Sequence, residues 1–145
     1  MQTRDRVSAI VVVVVAVLLM ATAASAGAAT LQPPVIKELF TPLKCTHAQT
    51  TLGMEGCAEQ QILRSDKTID SLNAQIFNGL STSGKRDFIS GNDAWLKYRT
   101  AFCLSETDVY QGGTLGGVIY ALCAETINTA HVKELQNFLA TLNQN

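Results

Sequence analysis

The chain has 145 residues, of which 11 are basic and 12 acidic, giving a formal net charge of −1. A chain of this length forms one domain with a modest core, and its balanced charge excludes a nucleic-acid-binding protein that relies on a strongly basic surface. The hydrophobic fraction of 47% overstates that core, because the N-terminal segment contributes heavily to it.

The N-terminal segment is typical of a signal peptide. Arg4 and Arg6 precede an apolar run over residues 9–20, and residues 24–26 (Ala-Ser-Ala) fit the small-x-small pattern that a signal peptidase cleaves after. The apolar run is shorter than the roughly 20 residues of a membrane-spanning helix, which disfavours the alternative of an uncleaved N-terminal anchor. We therefore predict a signal peptide at residues 1–26, an exported protein that is periplasmic or secreted, and membrane contact only before cleavage.

The predicted mature chain opens with an extended lead-in at residues 27–44, where Pro33, Pro34 and Pro42 block regular helix. Residues 45–145 then form a helical domain. No apolar pattern with a period of two persists long enough to predict a strand. The predicted fold is all-α, a three-helix antiparallel domain.

Apolar residues at intervals of three and four define the three predicted helices. The first runs from about Thr51 to Asn78, the second begins after Ser83 as N-cap, and the third follows Thr114 as N-cap and continues to about Leu142. Asp66 falls between the apolar residues of the first helix, together with other charged residues. The apolar positions include Ile62, Ile69, Leu72 and Ile76 in the first helix, Phe88, Trp95 and Phe102 in the second, and Leu115, Val118, Leu122, Leu135 and Leu139 in the third.

The exported part contains four cysteines: Cys45, Cys57, Cys103 and Cys123. An even number in an oxidising compartment predicts two disulfides. Zinc is the alternative, disfavoured because the chain has no C-x-x-C pair and its two histidines, His47 and His131, are far apart in sequence. Of the three possible pairings, Cys45–Cys57 with Cys103–Cys123 requires the least rearrangement, since an antiparallel turn at Gly112 and Gly113 brings the last two together. No metal and no cofactor is predicted.

Catalysis is not predicted. The sequence lacks H-E-x-x-H, G-x-S-x-G and a phosphate-binding glycine loop. Neither histidine has an identifiable partner for nucleophilic chemistry. We therefore predict that the protein is not an enzyme.

The stretch GNDAWLKYRTAFC, residues 91–103, has two interpretations. Trp95 and Arg99 are four residues apart and meet on one helix face, so that the guanidinium can lie against the indole. In the first interpretation Trp95 fills the core and Arg99 covers it while bonding helix-end carbonyls. In the second, Tyr98 and Arg99 form a binding face, since both residue types are common interface anchors. The first is favoured.

The connection LSETDVYQGGT, residues 104–114, is the candidate partner-binding loop, with Glu106, Asp108 and Tyr110 as its candidate contacts. If the second helix continued through Asp108, two acids would lie at its negative end. If it ended near Leu104, Ser105 could cap a short new turn. The earlier end is favoured, and the hypothesis is that the loop offers carboxylates and an aromatic anchor to a basic cleft.

Three stretches carry a family resemblance: CTHAQTTLGMEGCAEQQILRSDKTIDSLNAQIF, AWLKYRTAFC and QGGTLGGVIYALC. Together they resemble the LprI-like lysozyme inhibitor domain, a family of small exported bacterial proteins, over about residues 45–139. The family pattern usually has glutamine at Asn92, an acid at Thr100 and arginine at His131. The matching positions are Cys45, Cys57, Leu72, Asn73, Trp95, Tyr98, Arg99, Cys103, Gly112, Gly113 and Cys123.

The resemblance implies an exported envelope protein that binds and inhibits a lysozyme-type muramidase and so protects peptidoglycan. Removing the signal peptide leaves two more acidic than basic residues, and a mildly acidic protein attracts a cationic lysozyme at low salt. The alternative is a non-catalytic structural or interaction module of the envelope with no lysozyme target.

Overall fold

The computed structural model describes residues 30–110 and 113–144. In these residues the helices are α1 (Thr51–Gly79), α2 (Thr82–Thr107) and α3 (Gly116–Leu142), with a short 3₁₀ turn at Asp108–Tyr110 after α2. No strand occurs in this part of the chain, so the predicted all-α three-helix fold is confirmed. None of these helices is both long and apolar enough to cross a membrane. The predicted signal peptide and Gly112 lie outside the described residues.

The second and third helices begin at other residues than the sequence predicted. Ser81, rather than Ser83, caps α2, and its hydroxyl oxygen accepts a hydrogen bond from the N–H of Gly84 at 3.3 Å. The chain leaves α1 in an extended conformation at residue 80 and turns into α2 at once, so the linker is shorter than predicted. A turn occupies residues 113–115, and α3 therefore begins at Gly116 without a side-chain cap from Thr114.

Helix α3 packs against both α1 and α2, more extensively against α1. The core consists of two apolar clusters separated by a layer of buried polar residues. The first cluster comprises Ala58, Ile62, Cys103, Ala121, Cys123 and Ala124. The second comprises Ile69, Leu72, Ile76 and Leu135, with Phe88, Trp95 and Leu139 partly buried against it. Asp66 on α1, Arg99 on α2 and Asn128 on α3 lie in sequence between these clusters and are all buried; we call them, with Glu38, the polar layer.

Both predicted disulfides are present. Cys45–Cys57 ties the lead-in to the first turns of α1, with a Cα–Cα distance of 4.2 Å. Cys103–Cys123 joins α2 to α3, with a Cα–Cα distance of 5.5 Å. The sequence separations are 12 and 20 residues, and closing loops of this size stabilises a fold by about 3 kcal/mol each in the chain-entropy model.

The described part of the lead-in is extended and held along α1 by specific hydrogen bonds. The Ile36 N–H donates to Asp70 Oδ1 at 2.9 Å, and the Leu43 N–H donates to Glu59 Oε2 at 2.6 Å. Gly56 lets the two backbones approach closely, because a Cβ at this position would lie 2.6 Å from the carbonyl oxygen of residue 44. The lead-in is therefore part of the packed domain and supplies one member of the polar layer.

Candidate functional site

Arg99 lies at the centre of the polar layer and is only 1% exposed. Its Nη1 donates to Asp66 Oδ1 at 3.1 Å and to Asn128 Oδ1 at 2.8 Å, while its Nη2 donates to Glu38 Oε1. Asn128 Nδ2 in turn donates to Asp66 Oδ1 at 2.8 Å. Arg99, on α2, thus bonds to side chains of the lead-in, α1 and α3. The prediction that it bonds helix-end carbonyls is wrong. Its burial makes it a structural residue and leaves it no surface to offer a partner.

Asp66 has an unusual proton affinity in this layer. Burial raises the pKa of Asp66 to about 7; Arg99 opposes the rise and the neighbouring Glu38 carboxylate adds to it. Asp66 Oδ1 already accepts hydrogen bonds from Arg99 and Asn128, whereas Oδ2 is buried without a partner among the described residues. A proton on Oδ2 leaves those bonds in place and removes the excess of two carboxylates over one guanidinium.

We expect the domain to lose stability as the pH rises from 3.8 to about 7. The pKa of Asp66 is about 7 when folded, against its ordinary value of 3.8, so between these values the folded state binds a proton that the unfolded state has lost. The Asp66 contribution is fully present below the lower value, falls as the pH rises between the two values and is absent above the higher one. The loss is on the order of 2 kcal/mol after a discount for solvent screening. Urea unfolding at several pH values measures this loss.

Asp66→Asn is the control for that pH dependence, since an amide keeps the acceptor oxygen for Arg99 and does not titrate. The variant is expected to show a flatter profile of unfolding free energy between mildly acidic and mildly alkaline pH. Parallel profiles for the wild-type protein and the variant would contradict the assignment to Asp66.

Sequence reasoning missed the partners of Arg99, although the spacing carried a signal for one of them. Asp66 follows Ile62 by four residues and precedes Ile69 by three, so it occupies the apolar stripe of α1. A charged residue at such a position is buried and needs an opposite charge. The sequence offers no equivalent signal for Glu38, because the lead-in has no helical period.

Trp95, which the sequence predicted to fill the core, is half-buried and packs against the second apolar cluster. Its indole stacks on the ring of His131, with centroids 4.0 Å apart and planes inclined by 16°. The Arg99 guanidinium lies 5.4 Å from the indole centroid, as the spacing predicted. His131 Nδ1 lies 3.0 Å from Glu134 Oε2. His131, which stands where the family pattern has arginine, thus contacts both Trp95 and Glu134.

Helix α2 extends past the predicted end near Leu104 and reaches Thr107. Ser105 Oγ donates to the carbonyl of Phe102 at 2.6 Å, so Ser105 bonds back into the helix instead of capping a new turn. The 3₁₀ turn then closes the helix, and the Gly113 N–H donates to the carbonyl of Tyr110 at 3.0 Å. Residues 104–110 of the candidate loop therefore form the end of α2 and a 3₁₀ turn.

An exposed strip of aromatic and acidic side chains lies at this helix end. Tyr98 is 53% and Phe102 42% exposed, and their ring centroids are 5.6 Å apart. Glu106 continues the strip one helical turn further, since residues four apart share a face, and Glu106, Asp108 and Tyr110 are all exposed. We call this surface the acidic aromatic tip, formed by Tyr98, Phe102, Glu106, Asp108 and Tyr110.

The fold and the site define a class of protein. It is a small helical domain with two disulfides, a buried arginine and an exposed acidic aromatic tip. The sequence matches the family model described as lysozyme inhibitor LprI over residues 44–135, and the chain belongs to this family. The matched region contains both disulfides, Arg99 and the tip. Neither a curated protein nor a solved structure matches the chain. The family is described as one of lysozyme inhibitors.

Proposed function

We propose that the mature protein is exported to the cell envelope, where it binds and inhibits a lysozyme-type muramidase and so protects peptidoglycan. Membership of the lysozyme inhibitor family carries this proposal. Two disulfides support export, because such bonds persist in oxidising compartments. The excess of acids in the chain after residue 26 supports a cationic target.

The acidic aromatic tip is the proposed contact surface. Exposed aromatic residues are enriched among the residues that dominate binding energy, and Tyr98 and Phe102 present such rings side by side. Glu106 adds a carboxylate one helical turn beyond Phe102, and Asp108 adds a second in the 3₁₀ turn that follows. Carboxylates suit a basic cleft. The Cys103–Cys123 disulfide fixes the helix end from which the tip projects, so less conformational entropy is lost on binding.

Replacing Glu106 and Asp108 together by lysine is expected to slow association with a cationic lysozyme, most strongly at low salt. The physical reason is that steering between exposed opposite charges depends on ionic strength. Association kinetics at two salt concentrations measure this change, and clearing of a cell-wall suspension by lysozyme measures inhibition. The melting temperature should stay near that of the wild-type protein, since both side chains are exposed.

The matched control replaces Asp87 and Asp93 by lysine, which changes the charge of the same helix by the same amount at exposed positions away from the tip. This control should associate faster than the tip variant. Unaltered association and inhibition in the tip variant would remove the tip from the interface. If the wild-type protein leaves lysozyme activity unchanged at saturating concentration, the protein is an envelope interaction module without a lysozyme target.

A further inference from the structure

A groove of about 560 Å³ lies between the N-terminal half of α2 and the C-terminal half of α3. Its walls include Leu80, Phe88, Leu135 and Phe138, and the two phenylalanine rings meet edge to face with centroids 6.1 Å apart. This volume is within the range of sites that bind ligands or side chains of a partner. The groove is an apolar surface that the packing of the domain leaves open.

Two glycines on α2 line the groove. Gly84 and Gly91 are seven residues apart, and so lie on the same face two helical turns from each other. A Cβ added at Gly91 would meet nothing within 4 Å. Glycine destabilises a helix relative to alanine, and no contact within the domain requires it here. The missing side chain provides room for a group from outside.

The charge at the rim indicates which kind of partner fits. The charged residues that line the groove are both acids, Asp87 on α2 and Glu134 on α3. Both are exposed, and Glu134 Oε2 also lies 3.0 Å from Nδ1 of His131 in the same lining. An apolar floor between acidic rims is complementary to a helix with one apolar face flanked by lysine or arginine. Recognition of an amphipathic helix by an apolar groove is a recurrent mode of binding.

We propose that this groove binds a cationic amphipathic helix presented by another protein or peptide. The groove is distinct from the acids of the tip, because Gly91 and Glu106 are fifteen residues apart, roughly 22 Å along α2. Tyr98, the tip residue nearest the groove, follows Asn92 by six residues. This binding goes beyond muramidase inhibition, and either activity can fail without the other.

The test uses a synthetic helical peptide of leucine and lysine, free of tryptophan, and a control peptide in which glutamate replaces lysine. The chain contains one tryptophan, and Trp95 stacks on His131, which lines the groove. Binding is therefore expected to change the Trp95 fluorescence and to release heat in calorimetry. The lysine peptide should bind at least about tenfold more tightly than the glutamate peptide. Equal binding, or none, would overturn the proposal.

Variants locate the binding. Gly91→Leu fills the groove and is expected to weaken the lysine peptide about tenfold, whereas Gly116→Leu, at another glycine whose Cβ meets nothing within 4 Å, should bind normally. The double variant Asp87→Lys with Glu134→Lys tests the acidic rim, and it remains informative if Gly91→Leu does not fold. It should weaken peptide binding most strongly at low salt. An unchanged affinity in both would overturn the proposal.

Two further measurements test whether the groove itself holds the peptide. The tip variant, with Glu106 and Asp108 replaced by lysine, should keep its affinity for the lysine peptide; a loss equal to that of the rim variant would show that general acidity, not the groove, attracts the peptide. Sedimentation without peptide tests a second copy as occupant. Self-association that Gly91→Leu abolishes would assign the groove to a dimer and overturn the proposal.

Discussion

Replacing Arg99 by methionine is expected to lower the free energy of unfolding by about 3–5 kcal/mol, the cost of removing one partner from a buried ion pair. Methionine keeps an unbranched apolar chain at this position, so the main loss is electrostatic. The carboxylates of Glu38 and Asp66 would remain buried beside each other without the guanidinium that both now contact. Urea unfolding followed by circular dichroism measures the change.

Arg86→Met is the matched control, because Arg86 lies on the same helix and is exposed. Its effect should stay within about 0.5 kcal/mol, as for most surface substitutions. Adding Glu38→Gln and Asp66→Asn to Arg99→Met should restore part of the loss, since both orphaned charges are then removed. A cost below about 1 kcal/mol for Arg99→Met alone would show that the polar layer does not hold the fold.

The pH changes the size of this effect in a defined direction. Without Arg99, which lowers the pKa of Asp66, the charged form of Asp66 is disfavoured further, so the folded state binds a proton more strongly. The loss caused by Arg99→Met should therefore be smaller at mildly acidic pH and larger at alkaline pH. Arg99→Met removes the positive charge of the polar layer, and Asp66→Asn removes one of its negative charges, so the two substitutions test the same layer.

Local periodicity was sufficient to predict the architecture. The stripe through Ile62, Ile69 and Ile76 identifies α1, and all three residues are buried. The antiparallel path of the chain then selects the cysteine pairing, because Cys103 and Cys123 flank the turn between α2 and α3. Both inferences depend on residues that are close in sequence or joined by a short connection.

The features that the sequence predicted wrongly or did not predict depend mostly on contacts between distant segments. The end of α2 depends on the Ser105 hydroxyl, which can cap a new turn or bond back to a carbonyl with equal local plausibility. The ring on which Trp95 stacks belongs to His131, a residue of another helix. Glu38 reaches Arg99 from the lead-in, where proline and loop composition give no register. Such positions become predictable only once the helices are packed.

The polar layer and the second disulfide both anchor the helix end that carries the tip. Arg99 and Cys103 are one helical turn apart on α2, and both are almost completely buried. Tyr98 directly precedes Arg99, and Phe102 directly precedes Cys103. Both aromatic side chains are exposed. The inward residues thus fix the orientation of the outward ones, which links the stability of the core to the proposed binding surface.

Replacing Cys103 and Cys123 together by alanine is accordingly expected to affect both stability and binding. Loss of a closed loop of 20 residues should cost about 3 kcal/mol in the chain-entropy model, and Cys103 is 0% exposed, so the smaller side chain also leaves a void. Thermal unfolding should show a markedly lower melting temperature, while helix content at low temperature stays near that of the wild-type protein. Association with lysozyme should weaken, because the end of α2 is no longer fixed to α3.

The variant with Cys45 and Cys57 replaced by alanine distinguishes these two effects. It also removes one disulfide, but that bond ties Cys45, just after the lead-in, to the start of α1 and makes no covalent link to α2 or α3. It should therefore lose stability by a similar amount and still bind lysozyme as the wild-type protein does at temperatures where it is folded. If both double variants inhibit equally well under those conditions, the Cys103–Cys123 disulfide serves stability alone, and preorganisation of the tip contributes nothing to recognition.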